Sequence, residues 1–160
     1  MLNVKDMPEN TMKIKPLHAS QIKNKADIIT LDEFSKAMEF AWKMISACQQ
    51  WGGIGLAATQ LGARKSIIVL RDLNTEDTFR VCLNPSYKPI KDKGTTKLEE
   101  GCLSVPGKIV RVARWQEIDA SWIEKINGEF VTQSVVLSGL EARVFQHEVD
   151  HLFCISILDK

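Results

Sequence analysis

The sequence lacks an excess of charge of either sign, since 21 lysines and arginines stand against 20 aspartates and glutamates in 160 residues. This balance argues against a protein that binds nucleic acid or an acidic membrane surface through a basic patch. No apolar run approaches the roughly 20 residues that span a bilayer. The polar start, MLNVKDMPENTMKIK, lacks the apolar core of a secretory signal. We therefore expect a cytoplasmic protein with no direct nucleic-acid or membrane binding.

Paired cysteine motifs are also missing. Cys48, Cys82, Cys102 and Cys154 are scattered, without a CxxC pair or the close spacing of small disulfide-rich domains. A disulfide framework is therefore not expected, and a reducing cytosol agrees better with this distribution. The sequence has no internal repeat and no Pro/Gly linker, so residues 1–160 are expected to form a single domain with its own core.

A first helix is predicted over residues 31–50. Thr30 and Glu33 have the spacing of a capping box, in which each side chain hydrogen-bonds the backbone of the other residue. Apolar residues then recur at helical spacing until the glycine pair at 52–53, which is expected to end the helix. Residues 1–29 show no clear periodicity, and we expect loops and short extended pieces there.

Strands are predicted from short stretches rich in β-branched residues, at 66–71, at 79–84 and on both sides of Asn127-Gly128 between 115 and 136. Asn-Gly is a strong signal for a two-residue hairpin turn. Prolines and glycines between 85 and 106 indicate a looping middle region instead.

A second helix is expected to begin at a capping box from Ser138 to Glu141 and to run through QHEVDH at 146–151. One helix, several mostly antiparallel strands and a C-terminal helix that carries two histidines together predict an α+β fold.

The segment QHEVDH places His147 and His151 four residues apart, with Glu148 directly after the first. Residues at this spacing share a helix face, and Leu140 and Val144 are expected to continue that face toward the core. Two interpretations stay open from this segment alone. The histidines are either a hydrogen-bonded pair in the core or two metal ligands with a glutamate placed to reach a metal-bound water.

A tetrahedral metal site with two histidines needs a third protein ligand and keeps the fourth position for water. Downstream of the histidine motif the plausible donors are Cys154 and Asp159, and the one further histidine is His18. Cys102 is the better candidate, because glycine and proline in EEGCLSVPG let the backbone bend toward a metal. The alternative for Cys102 is a buried structural cysteine.

A third segment, GIGLAATQ at 53–60, follows the first helix. Gly53 and Gly55 permit close approach of a ligand to the backbone, and the Gln60 amide offers a donor for an oxyanion. The segment lacks the Lys-Ser/Thr ending of a phosphate loop. Taken alone, it is equally consistent with a tight turn between a helix and a sheet.

Together, GIGLAATQ, EGCLS and QHEVDH resemble the three signature motifs of the peptide deformylases in order and spacing, and the resemblance covers about residues 53–160. That family has an α+β fold and removes the formyl group from the N-formylmethionyl ends of new polypeptides. The resemblance implies six residues at the reaction centre: the metal ligands Cys102, His147 and His151, the general acid/base Glu148, and the oxyanion donors Gln60 and the Leu103 N–H.

The resemblance also implies a set of substrate-binding residues, which are Gly53, Ile54, Gly55, Leu98, Glu100, Gly101, Leu140, Arg143 and Val144. Arg143 is unexpected in a pocket for methionine. We expect its aliphatic stem to pack on the ligand while its guanidinium lies in water.

The resemblance implies one divalent metal ion per chain, typically Fe(II), with Zn, Ni or Co able to replace it, because imidazole and thiolate suit several of these ions. The implied partners are N-formylmethionyl nascent polypeptides, with proximity to the ribosome. The sequence ends at Lys160 without the C-terminal extension of many bacterial members, which indicates a short form that we expect to be active.

Two departures from the family pattern carry expectations of their own. Ile109 stands about where family members often have an arginine after EGCLS. Arg111 and Arg114 follow nearby, and one of them is expected to contact a substrate backbone or carboxylate. Cys154 stands where a glycine usually follows the histidine motif.

Three other functions are alternatives. A zinc peptidase would use HEVDH with another third ligand, but it leaves GIGLAATQ and EGCLS unexplained. A cysteine hydrolase would use Cys102 as nucleophile and His147 as base, and its activity would survive metal removal. A deformylase-like protein that only binds peptides or metal is disfavoured, because every implied reaction-centre residue is present.

Overall fold

The structure is a computed structural model that describes residues 1–6, 16–75 and 77–160. Its α-helices are α1 (Phe34–Gln50) and α2 (Gly139–Leu152). Its strands are β1 (Leu2–Asn3), β2 (Gly55–Ala57), β3 (Ile67–Arg71), β4 (Thr78–Pro89), β5 (Thr95–Glu100), β6 (Val110–Trp115), β7 (Glu117–Ile126) and β8 (Glu129–Ser138).

Six of the strands form one antiparallel sheet in the order β2-β3-β4-β7-β8, with β1 paired to the start of β4, and β5 and β6 form a separate antiparallel pair. The long strand β4 pairs with β3 up to Leu83, and its pairing with β7 shifts register between Leu83 and Ser86. The predicted α+β class, with mostly antiparallel strands around a C-terminal helix, is confirmed.

The two helices cover opposite faces of the large sheet. On β3, Ile67 and Val69 belong to the core cluster beneath α1, whereas Ile68 and Leu70 belong to the cluster beneath α2. Successive strand residues point to opposite faces, so a continuous apolar strand such as β3 needs a cover on both sides. The buried face of α1, which supplies the first cover, consists of Phe34, Ala37, Ala41, Met44, Ile45, Ala47 and Cys48.

The predicted first helix is confirmed, with a 3₁₀ turn over Leu31–Glu33 leading into α1. The Thr30 N–H donates to Glu33 Oε2 at 3.1 Å, as expected for the capping box. The helix ends at Gln50, and Gly52 follows with a φ of 68° that disfavours other residues. At α2, by contrast, Ser138 makes no side-chain capping bond, so the second predicted capping box is wrong although the helix forms.

The predicted hairpin is confirmed: β7 and β8 pair from Ile126 and Glu129 outward, and Asn127 and Gly128 have φ values of 50° and 90°. Such positive φ values at both turn residues match the strand twist, which is why Asn-Gly is favoured there.

The prediction of a looping middle was wrong, because β4 continues to Pro89 and β5 occupies Thr95–Glu100. Pro85 lies within the register shift of β4, a place where a strand tolerates the missing N–H.

Near the N-terminus the structure shows the short β1, a 3₁₀ turn over Val4–Asp6 and another over Ala19–Gln21, in agreement with the expected loops and short pieces. Residues 7–15, on which part of that expectation falls, lie outside the described residues. Neither described α-helix combines the length and the apolar character that a membrane span requires.

Candidate metal centre

Three side chains from two distant parts of the sequence meet beside α2. Cys102 follows β5, and His147 and His151 lie one turn apart on α2; their ligand atoms all lie within 4.8 Å of one another. Cys102 Sγ is 3.2 Å from His151 Nε2, which is 3.1 Å from His147 Nε2. One thiolate and two imidazole nitrogens at this separation fit a single divalent ion such as zinc or iron.

This group is the one metal-binding cluster found among the described residues, and the other candidate ligands lie elsewhere. His18 caps the 3₁₀ turn that begins at Ala19, where its ring accepts from the Ser20 N–H. Asp159 accepts hydrogen bonds from Ser156. The structure therefore favours Cys102 over the downstream donors and His18.

The backbone after β5 turns Cys102 inward. The Cys102 carbonyl accepts from the Val105 N–H at 2.9 Å, which closes the turn. The Ser104 N–H lies 3.4 Å from Cys102 Sγ and donates toward it. The turn and this contact hold the sulfur toward His151, where it can serve as a metal ligand.

His147 is oriented by Glu100, since its Nδ1 lies 2.9 Å from Glu100 Oε2. A carboxylate on the second ring nitrogen of a ligand fixes the tautomer and the ring orientation. Burial alone would raise the pKa of Glu100, but hydrogen bonds from His147 and Arg114 outweigh it and lower the pKa to about 2. Glu100 was expected to bind substrate, whereas its carboxylate is engaged with these partners.

Arg114 is buried and holds two carboxylates. Its Nε and Nη2 donate to Glu100 at 2.6 and 2.8 Å, and its Nη1 donates to Asp150 Oδ2 at 2.8 Å. Asp150 also pairs with Lys160 Nζ at 3.0 Å. The donors of Arg114 are thus engaged with these carboxylates, whereas Arg111 is exposed on the same strand, and a substrate contact by one of the two arginines stays a prediction.

The guanidinium of Arg143 does not lie in water as expected, because Arg143 is only 7% exposed. Its Nη1 and Nη2 donate to Glu100 Oε1 and to two backbone carbonyls.

Leu140 was expected to face the core together with Val144, but it is 52% exposed. The apolar face of α2 therefore reaches the core at Val144 and not at Leu140.

Glu148 lies against Gly55 and is 4% exposed. Its Oε2 is buried and has no hydrogen-bond partner. Burial raises the pKa of Glu148 to about 7, although His147 and Arg114 act in the opposite direction. An unpaired buried carboxyl costs folding free energy, and its presence beside three metal-binding side chains agrees with a site built for a ligand.

The surroundings shift the pKa values of the two histidines in opposite directions. Burial alone would lower the pKa of His147, but hydrogen bonds with Cys102 and Glu100 outweigh it and raise the pKa to about 10. Burial and the nearby His147 lower the pKa of His151 to about 3. A histidine binds a metal ion as the neutral imidazole, so metal binding at this cluster is expected to depend on pH.

Gln60 is held with its amide nitrogen toward the cluster. Its Oε1 accepts from the Ala57 N–H at 2.8 Å, and its Nε2 donates to Ser104 Oγ at 3.1 Å and lies 3.8 Å from Cys102 Sγ. No hydrogen bond among the described residues uses the Leu103 N–H, which leaves this donor available. The two predicted oxyanion donors therefore flank Cys102.

A cavity of about 820 Å³ opens onto this group. It is lined by every predicted reaction-centre residue except His151, and by every predicted substrate residue except Leu98. Leu98 is exposed on β5, and its substrate contact stays a prediction. Sequence reasoning did not assign further residues that line the cavity to the substrate, among them Trp51, Val105, Pro106, Gly107, Lys108 and Ile109.

Sequence reasoning also missed the partnership of Arg114 with Asp150. The signal for it was present in β6, where Val112 and Arg114 occupy alternate, inward positions. An arginine at an inward strand position requires buried acceptors, so an ion pair could have been expected.

An α+β fold with a Cys/His/His cluster and a buried glutamate beside it has the groups that a metal-dependent hydrolase requires. The family model described as polypeptide deformylase matches residues 11–160. The chain therefore belongs to the polypeptide deformylase family. Family membership assigns the chain a peptide deformylase activity.

Individual relatives agree with this assignment. A peptide deformylase of Halothermothrix orenii is 32% identical over 93% of this chain and 92% of the relative. Peptide deformylase 1 of Bifidobacterium longum is 42% identical over 62% of this chain, a match that spans about half (49%) of that relative. The crystal structure of the Thermotoga maritima peptide deformylase superposes with a TM-score of 0.77 at 30% identity, covering 93% of this chain and 97% of that one.

Proposed function

We propose that residues 1–160 act as one catalytic domain that hydrolyses the N-formyl group of N-formylmethionyl nascent polypeptides in the cytoplasm, near the ribosome, and releases formate. The observation that carries this proposal is the convergence of Cys102, His147 and His151 within 4.8 Å beside the unpaired carboxyl of Glu148. The first three residues would hold one divalent ion.

Cys102, His147 and His151 would hold the ion, which would supply the Lewis acidity that activates a water and polarises a carbonyl at neutral pH. Glu148 moves the proton: its unpartnered Oε2 accepts it from the attacking water and then donates it to the leaving amine nitrogen. The C–N bond breaks as the nitrogen is protonated, so that a free amine and formic acid leave, and the acid then gives up its proton as formate. A carboxyl whose pKa lies near 7 can serve as acceptor and donor in turn.

The oxyanion that develops on the formyl group would be stabilised by Gln60 Nε2 and the Leu103 N–H. The Gln60 amide cannot turn away readily, because its oxygen is held by the Ala57 N–H at 2.8 Å. A donor fixed before the reaction needs no reorganisation when charge develops.

A Gln60→Glu variant tests this role. It keeps the acceptor for the Ala57 N–H but replaces the amide donor with a carboxylate oxygen, so kcat should fall about 10²- to 10³-fold with a small change in KM. Steady-state kinetics with a formylated tripeptide measure both constants. Gln116→Glu, at an exposed position, is the matched control. Wild-type kcat in Gln60→Glu would exclude Gln60 from the oxyanion site.

The first side chain of the substrate would enter the cavity between Ile54, Leu140, Val144 and His147. These walls are mostly apolar, as an unbranched methionine side chain requires. Gly53, Gly55 and Gly101 leave room for the substrate backbone to approach.

Fe(II) is the proposed native ion, with Zn, Ni or Co as substitutes, because a thiolate and two imidazoles accept all of these. Metal dependence separates this proposal from a cysteine hydrolase. We expect formate release from formyl-Met-Ala-Ser under anaerobic conditions, its loss after chelation, and its recovery when Fe(II) or Ni(II) is restored. Full activity in the chelated protein would instead favour Cys102 as a nucleophile.

A further inference from the structure

Arg143 lies on α2 one turn before His147, in the wall of the cavity. A methionine pocket has no need for a guanidinium, and a buried arginine must find acceptors for its donors. Here it finds three. Nη1 donates to Glu100 Oε1 at 2.5 Å and to the Val112 carbonyl at 3.1 Å, and Nη2 donates to the Thr96 carbonyl at 2.6 Å.

These bonds attach α2 to both strands of the small sheet. Thr96 and Glu100 lie near the two ends of β5, and Val112 lies on β6. Among the strands that the structure describes, β5 pairs with β6 alone, and Glu99 and Glu100 at its end line the cavity. A strand with one neighbour depends on other contacts to keep its position, and Arg143 supplies them at two points along β5.

Arg143 and Arg114 hold Glu100 in different ways. Arg114 lies on β6, so its pair of bonds with Glu100 is internal to the small sheet. Apart from His147 itself, Arg143 is the described residue of α2 that bonds Glu100. Arg114 reaches α2 on its other side, through Asp150, so Arg143 and His147 supply the direct bonds between the Glu100 carboxylate and the helix that carries the histidines.

We propose that Arg143 is a positioning residue, which locks β5 and the Glu100 carboxylate against α2 and thereby holds His147 with its Nε2 facing Cys102 and His151. The inference rests on the proposed function in that it takes these three residues as the metal ligands. In this role the stem of Arg143 forms the pocket wall, and its guanidinium sets the geometry of a ligand it does not touch.

The test compares Arg143→Met, Arg143→Lys and wild type. Arg143→Met keeps much of the stem but loses every donor, and Arg143→Lys keeps the charge but cannot span Glu100 and the Thr96 carbonyl as a planar guanidinium does. Arg111→Met, at an exposed arginine of β6, is the matched control. Zinc affinity is measured by competition with a chelator, and the ligand geometry by the visible absorption of the Co(II)-loaded protein.

We expect zinc affinity to fall about tenfold in Arg143→Met, at the lower end of the 10- to 100-fold typical for groups that orient metal ligands. The Co(II) absorption should change in shape, Arg143→Lys should be intermediate, and Arg111→Met should match wild type. Wild-type zinc affinity and an unchanged Co(II) spectrum in Arg143→Met overturn the proposal. Circular dichroism establishes that each variant is folded, and if Arg143→Met is not, wild-type values in Arg143→Lys overturn it instead.

Metal binding and deformylation are separate measurements, so the two proposals can fail separately. A wild-type protein that binds zinc in an Arg143-dependent way but releases no formate leaves the positioning role intact and removes the proposed function. If the wild type is active but the Arg143 variants bind zinc as the wild type does, the proposed function stands and the positioning role is removed.

Discussion

A Glu148→Gln variant is expected to release formate about 10³-fold more slowly than wild type, within the range typical for loss of a general acid/base. Glutamine fills the same space against Gly55, but its amide can neither accept the proton of the attacking water nor deliver it to the amine. The loss should fall on kcat, because Glu148 acts only as bonds are made and broken. Rapid-quench or steady-state measurement of formate release checks the magnitude.

The same variant should be folded and should keep its metal ion. Glu148 Oε2 has no partner in the folded protein, so replacing the carboxyl with a neutral amide removes a cost of burial. We therefore expect the thermal unfolding temperature at pH 8 to be equal to that of wild type or higher. Glu141→Gln, at an exposed acid of the same helix, is the control for a changed charge on α2. Undiminished kcat in a metal-loaded Glu148→Gln protein contradicts the assigned role.

The sequence was most informative where function constrains a short segment. Spacing alone predicted that His147 and His151 share a helix face, and the EGCLS segment made Cys102 the better third candidate. The structure places the ligand atoms of all three within 4.8 Å. Such motifs are readable because each of their residues is required by local geometry or by the metal.

The strand order and the region between 85 and 106 were less predictable. Proline and glycine signal breaks when only local preferences are considered, yet β4 runs past Pro85 because tertiary pairing with β7 resumes at Ser86. Strand propensity depends on which neighbours a segment meets, and those neighbours are distant in the sequence.

The ionic network behind the metal centre was also beyond local reasoning. Glu100, Arg114, Arg143 and Asp150 come from two strands and a helix, and the partners in each guanidinium–carboxylate pair of this group are 14 or more residues apart in the sequence. Arg143 in particular was expected to expose its guanidinium, since a long charged side chain on a helix usually does so. The acceptors that it finds, Glu100 and the carbonyls of Thr96 and Val112, explain its burial.

A Gly55→Ala variant is expected to lose about 10²-fold or more in kcat, although it adds only one methyl group. A Cβ built on Gly55 would lie 2.5 Å from Glu148 Oε1 and 2.9 Å from its Cγ and Cδ. Gly55 is held in β2 by pairing with Leu70 of β3, so the strand cannot easily retreat. The carboxyl must move, and a displacement of about 1 Å at a catalytic group can cost 10²-fold.

A double-mutant cycle decides whether the methyl group acts through Glu148. If it does, Gly55→Ala should cost little further kcat when added to Glu148→Gln, because the displaced carboxyl is already absent. Gly53→Ala is the contrasting variant: its Cβ would meet Leu103 Cδ1 at 2.9 Å and Cys48 Sγ at 3.1 Å, and not Glu148. We expect it to affect KM more than kcat. If instead the two losses in kcat multiply in the double variant, the two residues act independently. That result would show that Gly55 serves the substrate backbone and not the Glu148 carboxyl.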